Sequence, residues 1–179
     1  FQNIVRGIAS IKRLNAVLDC KPVVKEGTIG LDTEILDENG EPIILETGTV
    51  EFKDVTFSYP DSSGEVVLSN INLKINKGEK IGILGSTGCG KSTLVKLIAR
   101  FYDTTSGSVY IDGIDVKDYK FSALRNKVAV VLQKSELFSG TIKDNICWGK
   151  EDATMEEVEY AAKIAQADTF INGFVDKYD

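Results

Sequence analysis

The sequence predicts an α/β fold organised around one glycine-rich turn, and three observations carry that expectation. Residues 85–92 read GSTGCGKS and fit the pattern G-x-x-x-x-G-K-[ST]. The run KIGIL at 80–84 reads as a strand leading into that turn, and Leu94, Leu97, Ile98 and Phe101 mark one helical face leading out of it. The run VAVVL at 128–132 is continuously apolar, which suits a strand buried on both faces.

Each further element follows from its pattern. Ile4, Ile8, Ile11, Leu14 and Leu18 lie on one helical stripe that ends before Pro22. Such a helix alone has no surface to cover, so we read it as arriving from another domain. Residues 26–51 carry eight acidic residues and no Lys or Arg, with glycines interspersed. That composition reads as a solvated linker holding a short hairpin at Asn39-Gly40.

In TVEFKDVTFSYP, Val50 and Phe52 share one parity while Val55, Phe57 and Tyr59 share the other. The switch at Lys53-Asp54 predicts a bulge or tight turn. Ile71, Leu73 and Ile75 alternate as a strand, and Asn76-Lys77-Gly78-Glu79 turns the chain. A further strand, SVYIDG, follows Ser106-Gly107. Thr141 with Asp144 starts a helix, and Met155, Val158, Ala162 and Ala165 form another helical stripe.

The turn at 85–92 has the chemistry of a phosphate cradle. Glycines let successive backbone N–H groups turn inward and approach phosphate oxygens closely. The helix starting near Gly90 aims free N–H groups and its positive dipole end at the same anion. Lys91 supplies a point charge for the outer phosphates, and the Ser92 hydroxyl is placed to ligate Mg²⁺. The expected ligand is a triphosphate.

Composition bounds the alternatives. The chain has 179 residues, 42% hydrophobic and 27% charged, enough for one domain with a core. No run of eighteen apolar residues suits a membrane span, and the N-terminus has no signal-peptide pattern. A net charge of −6 disfavours nucleic acid as the main ligand. Cys20, Cys89 and Cys147 are too widely spaced for a zinc motif or a disulfide framework, which fits a reducing compartment. With no histidine in the chain, Ser–His and Cys–His nucleophile systems are excluded, as is a His-ligated metal.

The succession EFKDVTFSYP, VLSNINLKINKGEKIGILGSTGCGKSTL, FYDTTSGSVYIDGIDV and LRNKVAVVLQKSELFSGTIKDNI resembles the nucleotide-binding domain of ATP-binding cassette (ABC) transporters, most closely the exporter type. The resemblance implies a P-loop NTPase (RecA-like) core with an antiparallel β subdomain and the start of a helical subdomain, incomplete at the C-terminus. It divides the chain into a helix at 1–20 continuing from an absent transmembrane domain, an acidic linker at 21–48, and a partial nucleotide-binding domain at 49–179.

Residue roles follow from the same resemblance. Tyr59 stacks on adenine, an interaction of about 1–3 kcal/mol on the scale of base–aromatic stacking. Gly85, Ser86, Thr87, Gly88, Cys89, Gly90, Lys91, Ser92 and Thr93 hold ATP, with Thr93 near the α-phosphate. Gln133 joins Ser92 as a Mg²⁺ ligand and orients the attacking water, so Lys91 and Gln133 are the catalytic candidates. The implied partners are the transmembrane domain of the same transporter and a second nucleotide-binding domain, as homodimer or heterodimer. The implied location is the cytoplasmic face of the membrane.

Several parts of the family's hydrolytic machinery are not in this sequence. There is no apolar strand ending in Asp-Glu, no LSGGQ-like signature loop and no histidine. The VYID stretch ending at Asp112 mimics the first, but Gly113 follows where Glu is needed. The LFSG stretch at 137–140 lacks the paired glycines and glutamine of the second. We therefore expect a truncated domain that binds Mg-ATP without hydrolysing it alone, and that associates through uncovered strand edges. Three alternatives share its motifs: a non-hydrolysing regulatory protein, a soluble ABC-type ATPase of DNA maintenance, and a phosphate-loop kinase or GTPase. The last lacks a guanine-selecting N-K-x-D.

Overall fold

The computed structural model describes residues 18–19, 22–36, 39–43, 45, 47–60, 62, 64–134 and 137–179. The chain divides into two compact units, Phe1–Val130 and Val131–Asp179. Of the helical stripe expected from Ile4 to Leu18, all but Leu18 lies outside the described residues.

In the first unit four antiparallel strands form a sheet in the order β2-β1-β3-β4, with β1 Val50–Phe57, β2 Leu68–Ile75, β3 Ser106–Ile111 and β4 Ile114–Asp115. Phe52 pairs with Leu73 on one side and Val109 on the other. The parity switch in β1 is a bulge. The register slips between Phe52 and Val55, and Asp54 takes the left-handed conformation with φ 51°. One inserted residue returns Val55 and Phe57 to the face that Phe52 already occupies, and all three are buried. The Asn76 turn also forms as expected. Glu79 N–H donates to the Asn76 carbonyl at 3.1 Å, and the Glu79 carboxylate accepts from the Asn76 N–H at 2.7 Å.

Two helices pack against this sheet. Helix α1, Lys91–Ile98, buries Thr93 and Leu97; α2, Phe121–Lys127, buries Ala123 and Leu124. With Phe52, Val55, Phe57, Val109, Ile111 and Tyr119 they make one core. The Tyr119 hydroxyl donates to the Ile111 carbonyl at 3.1 Å. Burial, with the Asp112 charge nearby, pushes its pKa up to about 12.

The helical face read through Phe101 stops earlier than its spacing predicts. Arg100 takes φ 50°, its N–H donates to Leu97, and the Phe101 N–H reaches back to Lys96. That pair of bonds is a Schellman close, with arginine at the left-handed position that glycine usually fills. Phe101 is thereby turned out of the helix and half exposed.

Arg100 also corrects the expectation of a wholly solvated linker. Its guanidinium donates to the carbonyls of Val116, Lys117 and Lys25, the last at 2.6 Å, and pairs with Asp103. Beyond Lys25, the N–H groups of Gly27, Thr28 and Ile29 bond to the carbonyls of Asp118 and Tyr119. Ile29 forms a parallel bridge with Tyr119. A Cβ at Gly27 would collide with the Asp118 carbonyl, so only glycine permits this approach. Further along, Leu36 bridges Pro42 across Gly40, as the hairpin reading expected.

Neither 80–84 nor 128–132 is a strand, contrary to expectation. Leu84 and Val131 are 96% and 94% exposed. An apolar run becomes a strand only when a neighbour accepts and donates its backbone hydrogen bonds. Among the described residues none pairs with either run.

Asp112, the carboxylate ending VYID, is buried at the turn after β3. It accepts from the Gly48 N–H at 2.6 Å and the Thr49 N–H at 3.2 Å, and pairs with Lys127 at 2.7 Å. This role is structural: the carboxylate joins the end of the linker to the end of α2. Burial alone would raise its pKa, but the Lys127 ammonium and the two N–H groups outweigh it and leave it lowered. A depressed folded pKa contributes stability above the unfolded value, lost as pH falls through the folded one. Asp112→Asn is therefore expected to cost about 2 kcal/mol at neutral pH. The gap from wild type should close as the pH drops below ~4, as urea unfolding across pH will measure.

The second unit holds α3 Ile142–Cys147, α4 Met155–Ile164 and α5 Asp168–Ile171. Capping boxes start α3 at Thr141 with Asp144 and α4 at Thr154 with Glu157. Val158, Ala162, Ile171 and Tyr178 form its core, while Met155 and Ala165 of the predicted stripe stay outside it. The LFSG stretch precedes α3, where the Asn145 side chain bonds both the N–H and the carbonyl of Phe138. It is a helix-entry loop.

Candidate functional site

The glycine-rich turn and the first turn of α1 form the candidate site. Gly88 and Gly90 take φ values of 85° and 91°, a region costly for any residue with a Cβ. At Gly90 a Cβ would also lie 2.8 Å from Leu68 Cδ2 and 3.1 Å from the Val67 carbonyl. The turn therefore sits against β2 as only glycine allows.

Gly90 is the N-cap of α1, with no side-chain cap and no acidic residue in the first turn. The leading N–H groups of a helix have no intrahelical acceptor. In α3 and α4 a threonine and a carboxylate fill that role. At α1 no side chain does so, which leaves the N–H groups and the dipole open to water or an external anion.

Lys91, the first residue of α1, folds back over the turn. Its ammonium donates to the carbonyls of Gly85 at 2.8 Å and Ser86 at 2.6 Å, and lies 3.6 Å from Cys89 Sγ. Residues 85–89 and Ser92 are exposed. Cys89 and Cys147 are free thiols. These features fit a nucleoside triphosphate with its magnesium: a lysine ammonium, an exposed turn, a hydroxyl at Ser92 and no acidic residue in the first turn of α1.

Tyr59 is brought to the same helix from the end of β1. Its hydroxyl lies 2.9 Å from Thr93 Oγ1. Its ring stands perpendicular to those of Phe57 and Tyr102, with centroids 4.9 and 5.1 Å away. Lys96 Nζ lies 5.9 Å from the ring centre. Spacing gave no sign of the Tyr59–Thr93 pairing, because 34 residues separate the two. A cavity of about 790 Å³ also has Tyr59 in its wall, beside Val23, Phe57, Arg100 and Tyr102, but no residue of the glycine-rich turn lines it. Gln133 is exposed and belongs to the second unit.

Residues 68–176 match the family described as ABC transporter. Over 175 residues the chain is 42% identical to the ATP-dependent lipid A-core flippase of Desulfotalea psychrophila, covering 96% of this chain and 28% of that protein. It is 38% identical over 174 residues to ABC transporter B family member 19 of Arabidopsis thaliana, covering 97% of this chain and 13% of that one. Among solved structures, a bacterial Atm1-family ABC exporter with ATP bound matches 98% of this chain at a TM-score of 0.75 and 29% identity, over 29% of its own length. The α/β P-loop fold expected from the sequence is thus the fold of this chain. The chain spans little more than a quarter of the length of that flippase.

Proposed function

From the premise that the chain belongs to the ABC transporter family, we propose that it is the Mg-ATP-binding portion of an exporter-type ATPase domain, one that powers transport across a membrane. The observation that carries the reading is the pairing of an uncapped α1 N-terminus with Lys91 inside a glycine turn that admits no Cβ. The turn's N–H groups and Lys91 hold the phosphates, and Tyr59 provides the platform for adenine. Ser92 is the metal ligand within the turn; the part assigned to Gln133 rests on the family resemblance alone. Magnesium, when bound with ATP, neutralises charge on the outer phosphates. Lys91 leaves its loop carbonyls and turns to the phosphates, while the fixed N–H dipoles need no reorganisation.

Hydrolysis then requires a carboxylate base at the end of a further strand of the same domain, and a signature loop supplied by a second nucleotide-binding domain in a head-to-tail pair that closes over ATP. The transmembrane domain of the same transporter is the other partner, which puts the working protein at the cytoplasmic face of a membrane. Among the described residues no helix is long and apolar enough to cross one. The chain alone is expected to bind Mg-ATP and release no phosphate. Calorimetric titration, with a phosphate-release assay on the same sample, tests both statements.

Cys89 supplies an independent readout. It is exposed within the turn, so modification by N-ethylmaleimide should slow at least tenfold when Mg-ATP saturates the site and leaves the thiol under the phosphates. Equal labelling rates with and without Mg-ATP would overturn the reading.

A further inference from the structure

Two Asn-Gly steps occur in the chain, Asn39-Gly40 in the linker and Asn172-Gly173 after α5. We infer that Asn39 is a site of spontaneous covalent modification, where the side-chain amide becomes aspartate and isoaspartate, and that the fold protects Asn172 from the same change. The reaction begins when the Gly40 nitrogen, giving its proton to solvent base, attacks Asn39 Cγ. The Cγ–Nδ2 bond breaks, and ammonia leaves with a proton from solvent. Water then opens the cyclic imide, at Cγ to give aspartate or at the backbone carbonyl to give isoaspartate. Nothing is oxidised or reduced: one water enters, one ammonia leaves, and a neutral amide becomes a carboxylate.

All four residues are exposed, so access to water does not separate the two steps. Conformation does. Asn39-Gly40 lies at the tip of a hairpin that is closed by the Leu36–Pro42 bridge and by the Ile43 N–H donating to the Ile35 carbonyl at 2.7 Å. Gly40 takes φ 84°, and no atom lies within 4 Å of where its Cβ would stand, which leaves room for the imide. Asn172 instead caps α5 with helical φ −66° and ψ −11°. Its Nδ2 donates to the Asp168 carbonyl at 2.9 Å, and the Gly173 N–H donates to the Phe170 carbonyl at 3.1 Å. Leaving group and attacking nitrogen are both engaged there, so that turn must open before the imide can form. Conversion of Asn39 adds negative charge to residues 26–51, which already carry eight acidic residues and no Lys or Arg. Isoaspartate also lengthens the main chain at the hairpin tip. None of this rests on the nucleotide site.

The second Asn-Gly step is the internal control for the test. The folded chain is aged at physiological temperature, at neutral and at mildly alkaline pH, and peptide mapping by mass spectrometry follows both asparagines. Asn39 is expected to convert about tenfold faster than Asn172, and faster at the higher pH, where the attacking nitrogen loses its proton more readily. An isoaspartyl methyltransferase should label the aged chain, and Asn39→Gln should abolish most of that labelling. In urea the two steps should convert at similar rates, since neither turn then exists. Equal rates in the folded chain, or Asn172 converting first, would overturn the inference. So would a gap of the same size in urea, which would assign the difference to flanking sequence, or an Asn39 that converts in urea and survives in the fold.

Discussion

Lys91→Ala is expected to weaken Mg-ATP binding by about a hundredfold while leaving stability within about 0.5 kcal/mol of wild type. The two expectations have separate origins. In the structure the ammonium bonds the carbonyls of Gly85 and Ser86 in an exposed turn, where water replaces it at little cost. Against a polyphosphate the same ammonium makes charge-assisted bonds, each contributing about 1.5–3 kcal/mol. A hundredfold loss corresponds to about 2.7 kcal/mol, which is within that range. Lys91→Arg should recover only part of the affinity, because a planar fork cannot take the place of a compact ammonium in so tight a turn. Calorimetric titration with parallel urea unfolding separates binding from folding. Near-wild-type affinity in Lys91→Ala would mean that the phosphates bind elsewhere.

The glycine-rich turn was legible because its pattern is local. The requirement for φ near +90° at Gly88 and Gly90, a cation at Lys91 and a hydroxyl at Ser92 falls on adjacent residues. The bulge in β1 was legible for the same reason. Parity changes sign across Lys53-Asp54, and the burial of Phe52, Val55 and Phe57 on one face demands an inserted residue. The Thr141 capping box is legible from a three-residue spacing, and the box at Thr154 with Glu157 has the same spacing.

What stayed hidden depends on partners distant in sequence. Nothing around Thr93 announces that Tyr59 will claim its hydroxyl, and nothing around Asp112 announces Gly48, Thr49 and Lys127. The apolar runs at 80–84 and 128–132 mark the opposite error. Hydrophobicity states that a segment benefits from burial, but a strand also needs a ladder of backbone partners, which a one-dimensional pattern does not contain. The acidic linker misled in a third way. Charge argued for solvent along its whole length, yet backbone groups at Gly27, Thr28 and Ile29 bind the domain without involving their side chains.

Arg100 is where these distant contacts meet, and replacing it is expected to have the largest effect on stability. Its side chain is 3% exposed, and its guanidinium donates to the carbonyls of Lys25, Val116 and Lys117 and to the carboxylate of Asp103. The Phe121 ring adds a cation–π contact at 5.4 Å. Arg100→Ala removes the donors and leaves the three carbonyls without the partner that joins them. The expected cost is about 3–4 kcal/mol in urea unfolding. The backbone supplies the control. Arg100 sits at φ 50°, which opposes any residue with a Cβ by about 1 kcal/mol. Arg100→Gly loses the same hydrogen bonds but relieves that strain, so it should be the milder variant by about that amount. In both variants the Gly27, Thr28 and Ile29 amides, which follow the Lys25 carbonyl that Arg100 holds, should exchange with solvent faster than in wild type. If Arg100→Ala unfolds at the wild-type urea concentration with those amides still protected, the linker is held by its own backbone bonds alone and the guanidinium is a bystander.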